Sequence, residues 1–251
     1  MPIDPLPGYD PPGMDPELKA KLKDAYGRTR DREVINAAVA LNAVRDQPDQ
    51  QGEAVLADAF RLMDNLIAAS PARASHACAS GCSWCCHQAI RIAAVEAIAI
   101  AEALRESYPS DWLAAIRRLL EARAAAAAGF SDTRAYRAAG LPCAFLGPEG
   151  QCAVYAWRPI VCRSYHSLSR SACQEQYIDL SAPTPPIDAY THLSGNAVLH
   201  GVALAVDAAG RDGGLYELHS AVLRALDTTD ARGRWGRGEL LFRGVLRGVP
   251  E

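Results

Sequence analysis

Eight cysteines in two blocks constrain this chain more than any other feature. Cys78, Cys82, Cys85 and Cys86 stand in ACASGCSWCCHQ and read C-x3-C-x2-C-C, while Cys143, Cys152, Cys162 and Cys173 follow at spacings of nine, ten and eleven residues. On a helix, offsets of four, seven and eight bring the first four sulfurs near one face; on a loop around Gly81 they close about a centre directly. Cys85 and Cys86 have Cα atoms about 3.8 Å apart, and their side chains diverge. That pair serves two neighbouring sites more easily than one tetrahedral ion. Four clustered thiols left without a partner are open to oxidation, so at least three of the first block are expected to be ligands.

The compartment decides between disulfides and metal. MPIDPLPGYDPPGMDPELK has no basic start, no apolar run and no small-residue cleavage site, so it does not read as a secretory signal. The most apolar stretch, AIRIAAVEAIAIAEAL, is broken by Arg91, Glu96 and Glu102 before it reaches the roughly 20 residues of a membrane span. The expectation is a cytoplasmic chain, in which clustered cysteines point to metal ligation or thiol chemistry and not to disulfides. A net charge of -3 gives no reason to expect a nucleic-acid surface.

Alanine dominates, and β-branched residues are scattered instead of alternating, which favours helices. Apolar spacings near 3.6 predict helices over 16–26, 31–45, 52–69, 92–107, 112–128, 187–208 and 214–226, with a short one at 132–139. Between 140 and 186 the long period disappears, turn signals accumulate and the second cysteine block falls. With few core candidates there, metal ligation is expected to order that region, with no sheet beyond a short hairpin near 143–156. The fold class is therefore mainly α, a helical domain wrapped around a loop-rich cysteine metal-binding centre. Its organisation is a disordered lead-in (1–15), a single helical cysteine-cluster domain (16–230) and an Arg/Gly-rich C-terminal tail (231–251), read as a solvated terminus.

Within the second block, YAWRPIVCRSYH places Arg158 and Arg163 on either side of Cys162. A guanidinium near a thiolate favours its charged form and can donate to sulfur, so both arginines are expected to support the bound cofactor, Arg163 more than Arg158.

Taken alone, the first three cysteines match the C-x3-C-x2-C by which radical S-adenosylmethionine enzymes hold a [4Fe-4S] cluster. Those enzymes set the motif after a first strand of a partial barrel, whereas helices flank it here. Together, CASGCSWCC and PCAFLGPEGQCAVYAWRPIVCR resemble the YkgJ-type cysteine-cluster family of zinc- or iron-chelating domains. The match runs through all four cysteines of the first block, then Cys143, Phe145, Leu146, Gly150, Cys152, Val154, Tyr155, Arg158, Pro159, Cys162 and Arg163, with Cys173 in the segment that brings the last cysteine. It extends over about residues 55 to 226. The sequence departs from the family at His166-Ser167, where Asn-Ser is common, which introduces a further nitrogen. The resemblance implies metal chelation by the eight cysteines, iron–sulfur or zinc, with no general reaction.

Six histidines are available. His87 and His166 lie close enough to cysteines to ligate, His76 less so, but hydrogen-bonded support is the commoner role for each; His192, His200 and His219 read as satisfied helix histidines. Zinc and iron–sulfur clusters both accept four thiolates. Only Cys82 to Cys85 has the C-x2-C spacing of a zinc knuckle, and eight cysteines suit two clusters, or one cluster and one zinc, with Phe145, Trp84, Tyr155 and Trp157 near enough to shield them from water. The cofactor expected is thus an iron–sulfur cluster, with zinc as the alternative. The leading function is electron transfer or an oxidoreductase role with a protein redox partner, since no nicotinamide or flavin fingerprint is present. The alternatives are a zinc-structured binding module or metal carrier, and a metal-dependent enzyme modifying a peptide or small molecule, with His166, Tyr155 or Tyr165 moving protons. No catalytic residue, nucleic-acid partner or membrane partner is assigned.

Overall fold

A computed structural model describes residues 15–249; the lead-in expected over 1–15 falls, except for Asp15, outside the described residues. Among these, ten α-helices carry the fold; the apolar periodicities predict seven of them but not the short helices Ile160–Ser164, Arg170–Ile178 and Ala231–Gly236. α1 (Pro16–Ala43) opens on Pro16, with Asp15 Oδ1 accepting from the Leu18 N–H. It runs unbroken through Gly27, where two helices were expected. Glycine costs a helix about 1 kcal/mol, and burial of Tyr26, Glu33, Ala37 and Leu41 along one stripe against α8 (Ala189–Ala208) outweighs that cost.

α2 (Pro48–Ala68) packs on α1 and buries Val55, Leu56, Ala59, Leu62, Met63 and Ile67. α3 (Ala94–Ser107) and α9 (Leu218–Asp227) pack together, and α4 (Ser110–Gly129) covers α9. α5 (Thr133–Ala138) is a short helix before the second cysteine block. The sequence reading extended α9 back to 214; residues 215–217 are instead a strand. β2 (Leu215–Glu217) pairs antiparallel with β1 (Arg91–Ala93), in the register Arg91↔Glu217, Ile92↔Tyr216, Ala93↔Leu215. This two-stranded sheet staples the starts of α3 and α9 together. The hairpin expected near 143–156 is reduced to one bridge, Leu146↔Cys152.

Two expectations from composition give way to packing. Residues 231–249 are not a solvated tail: α10 (Ala231–Gly236) lies on α2, and Trp235 and Phe242 are buried in the main core. The arginines point outward, while the two aromatics enter the core. Nor is the loop region devoid of apolar anchors, because Phe145, Val154 and Ile160 belong to the same core. No helix among the described residues is long and apolar enough to cross a membrane.

Candidate metal centre

The first cysteine block is a loop, not a helix. Gly81 takes φ +78, a left-handed turn that glycine adopts without penalty, and Cys85 and Cys86 sit in a single 3-10 turn, Trp84–His87. The second block brings Cys143 and Cys152 on turns, Cys162 on α6 (Ile160–Ser164) and Cys173 on α7 (Arg170–Ile178).

The two blocks meet. The Cys143 N–H donates to the Cys86 carbonyl at 2.7 Å, and the Ala77 N–H to the Ser167 carbonyl at 2.9 Å. Gly150, at φ +80, lies so close to Gly81 that a Cβ there would stand 2.7 Å from the Gly81 oxygen. Gly150→Ala is therefore expected to strain the turn and push the blocks apart, at about 2 to 4 kcal/mol. A thermal melt should fall by about 5 to 10 °C; an unchanged melting temperature would show that the loops are not pressed together.

All eight cysteines are free. Their mutual fields divide them into an outer set, Cys78, Cys82 and Cys173, and an inner set, Cys143, Cys152 and Cys162, with Cys85 acting on both. Burial holds Cys143 up at about 11 and raises Cys162 well above its ordinary value, with Cys143, Cys85 and Cys152 adding repulsion. Cys85 is raised chiefly by its hydrogen bond with Cys86, then by burial. Cys78, Cys85, Cys143, Cys152, Cys162 and Cys173 are all raised, the opposite of a catalytic nucleophile. Thiolates in this arrangement need a cation to neutralise them, and soft sulfur donors suit zinc or iron.

Backbone amides are already turned toward several sulfurs. Ser167 N–H donates to Cys78 Sγ at 3.3 Å, Phe145 supports Cys143 through its backbone, and Val154 supports Cys152 in the same way. Such bonds favour the charged sulfur. The donor chemistry thus fits a thiophilic metal, although among the described residues no three His, Cys, Asp or Glu side chains are drawn together as a finished coordination shell.

The arginines divide unequally. Arg158 lies over the Tyr155 ring, and its charge favours ionisation of Cys85 and Cys152. Arg163 bonds to Asp64 and the Ala156 carbonyl and covers Phe60. Of the four aromatics expected to shield the centre, Phe145 is buried and Trp84 packs on Tyr177, but Tyr155 and Trp157 are 62% and 43% exposed. They face water because a 3-10 turn, Tyr155–Trp157, lifts them off the core.

Among the histidines, His87 Nδ1 is 3.1 Å from the Gly140 carbonyl, His192 packs against Tyr165 and Asn196, and His200 bonds to Tyr26. His166 stacks on His76 with ring centroids 4.3 Å apart; burial, and then neighbouring His76, hold it down at about 4.

Several supporting residues were not legible in the sequence. Glu96 is buried and accepts from Ile160 N–H at 2.7 Å and Ala93 N–H at 2.8 Å, tying the start of α6 to the start of α3; burial holds it up at about 7. Glu217 bonds to His219 Nδ1 at 2.8 Å, and His219 Nε2 accepts from Ala144 N–H beside Cys143. Asp188 accepts from Ser70 and His76. Asp188 and Glu217 could have been found as helix caps, but their long-range partners could not.

Two converging cysteine blocks in a helical frame, with backbone donors turned to the sulfurs, have the donor chemistry of a thiolate metal-chelating domain. Residues 77–182 match the family model CxxCxxCC, described as a "putative zinc- or iron-chelating domain". The matched segment is narrower than the 55 to 226 span of the resemblance, and it contains all eight cysteines. Comparison with curated proteins and with solved structures gives no match.

Proposed function

We propose that this chain is a cytoplasmic iron–sulfur protein that passes electrons to or from a protein partner. The observation that carries the reading is the continuity of seven of the thiols, in which an outer and an inner set share Cys85, with Cys86 bonded to Cys85. A structural zinc site closes on four donors of its own, whereas adjoining polynuclear centres use such a continuous field of thiols. A bound iron–sulfur cluster supplies one-electron chemistry. The chain's own residues hold the sulfurs in place through Ser167, Phe145 and Val154, and Arg158 offsets their charge. Cys78 is exposed, which leaves an edge for a partner to approach. Neither nucleic acid nor a membrane is part of this reading.

Zinc is the second reading, favoured by the carboxylate–histidine pair Asp188–His76, an arrangement common behind zinc-bound imidazole. An enzyme acting on an organic substrate has less support. The cavity beside Cys85 and Cys173, lined by Trp84, His87, Tyr165 and Tyr177, measures about 20 Å³, room for about one water molecule.

Protein purified without oxygen is expected to be brown, with acid-labile sulfide and iron in similar amounts. Colourless protein with stoichiometric zinc would replace the first reading by the second. Protein with neither metal, which also takes up neither when they are supplied, would defeat both.

A further inference from the structure

The small cavity beside the thiols has walls that metal binding leaves without a task. It measures about 20 Å³, touches Cys85 and Cys173, and is open to solvent at Tyr177, which is 36% exposed. Flat rings form one side: Trp84 and His87 both pack on Tyr177, with ring centroids 5.3 and 4.5 Å away. Two of its polar groups have no partner. The Trp84 Nε1–H is buried and donates to nothing, although nearly all buried N–H groups in folded proteins find an acceptor. Among the described residues, Trp84 is the one side chain with an unpartnered buried polar atom that also lines this cavity. Arg137, in the last turn of α5, is half-buried in the same wall, and its guanidinium makes no hydrogen bond or ion pair among the described residues.

Charge and shape select the ligand. No aspartate or glutamate lines the cavity, and Gln88, Gln176 and Tyr165, which do, can all donate. A guanidinium stays charged at any working pH, and its N–H groups lie in a plane that matches a carboxylate. Space for about one water between tilted rings admits the flat head of a carboxylate whose remainder stays in solvent. A tetrahedral phosphate has the wrong shape for it.

We propose that this cavity is a carboxylate-binding site, in which Arg137 holds the acid group and Trp84 Nε1–H donates to one of its oxygens. The acid is carried either by a small free molecule or by an acidic side chain of a protein partner, and it stands beside Cys85 and Cys173. The inference goes beyond the metal reading and does not depend on it, since none of the donors is a cysteine.

The test uses the full chain purified without oxygen, in equilibrium dialysis against 14C-acetate and against capped glutamate, with metal content measured on the same samples. The expected result is saturable binding of one acetate per chain that formate displaces and phosphate does not. Arg137→Gln is expected to weaken it about 10- to 100-fold, and Trp84→Phe, which keeps a ring but removes the donor, about 3- to 10-fold. Arg134→Gln, at an exposed arginine of the same helix, is expected to leave it unchanged. Capped glutamate binding more tightly than acetate assigns the acid to a protein; weaker or equal binding assigns it to a small molecule. No saturable binding of either probe, displacement by phosphate as effective as by formate, or equal losses in Arg134→Gln and Arg137→Gln would overturn the inference. Loss of metal together with acetate in Arg137→Gln would also overturn it, because the arginine would then serve the thiols. A chain that binds acetate but no metal would defeat the metal reading and leave the carboxylate site standing.

Discussion

Cys173→Ala is expected to strip metal from the outer set and to open residues 165–186 to protease while leaving 143–160 protected. Truncating a cysteine in a packed site costs a few kcal/mol at most, about the cavity term alone. Losing a ligand also releases the centre and its folding free energy, about 10 kcal/mol or more for structural zinc in small domains. The two parts of the loop region should respond differently. Residues 143–160 keep Phe145, Val154 and Ile160 in the main core, and Glu96 still accepts from Ile160 N–H. In α7, by contrast, only Gln176 is buried, and Ile178 is 73% exposed. Metal analysis and limited proteolysis beside the unaltered chain decide the matter. Full occupancy with an unchanged cleavage pattern would show that Cys173 is not a ligand. Metal loss with 165–186 still protected would keep the ligand and refute the claim that metal orders that segment.

Glu33→Gln is expected to stabilise the protein at pH 8 by about 3 to 5 kcal/mol and to leave its stability unchanged at pH 4. Glu33 is fully buried where α1 meets α8: a Cβ on Gly201 would stand 2.6 Å from the Glu33 Cβ. Burial, and then the neighbouring Asp58 carboxylate, hold its pKa up at about 8, against an ordinary value of 4.5. Below about pH 4.5 both folded and unfolded chains carry the proton, and the group imposes no penalty. Between 4.5 and 8 the unfolded chain releases it and the folded chain keeps it, so stability falls as pH rises, by about 1.4 kcal/mol per unit. Above 8 the loss is complete. Glutamine stays neutral throughout and removes that slope. Glu96, held up at about 7, contributes a further decline in both proteins and cancels in the comparison. Urea unfolding of the two proteins from pH 4 to 9 measures the difference; identical slopes would show that Glu33 ionises normally in the folded chain.

The sequence by itself determined most of the helices, the two cysteine blocks and the resemblance of that segment to a zinc- or iron-chelating domain. Those are local properties: the stripe Leu56, Phe60, Met63 and Ile67 repeats at helical offsets, and C-x3-C-x2-C-C with the second block is a spacing pattern. It could not show that α1 continues through Gly27, because the compensating surface lies on α8, far along the chain. It took Trp235 and Phe242 for parts of a solvated tail because arginine and glycine dominate the composition around them, and only packing against α2 and the core shows otherwise. The centre follows the same division. The thiols were legible, but the groups that hold them come from elsewhere: Ser167 N–H for Cys78, Glu96 for the start of α6, and Asp188 for His76, 112 residues away. Backbone amides carry no side-chain signature, and a carboxylate's partner is chosen by where the helices stop. Which residues can meet is therefore decided by tertiary packing, while what they can do on meeting is already written in their side chains.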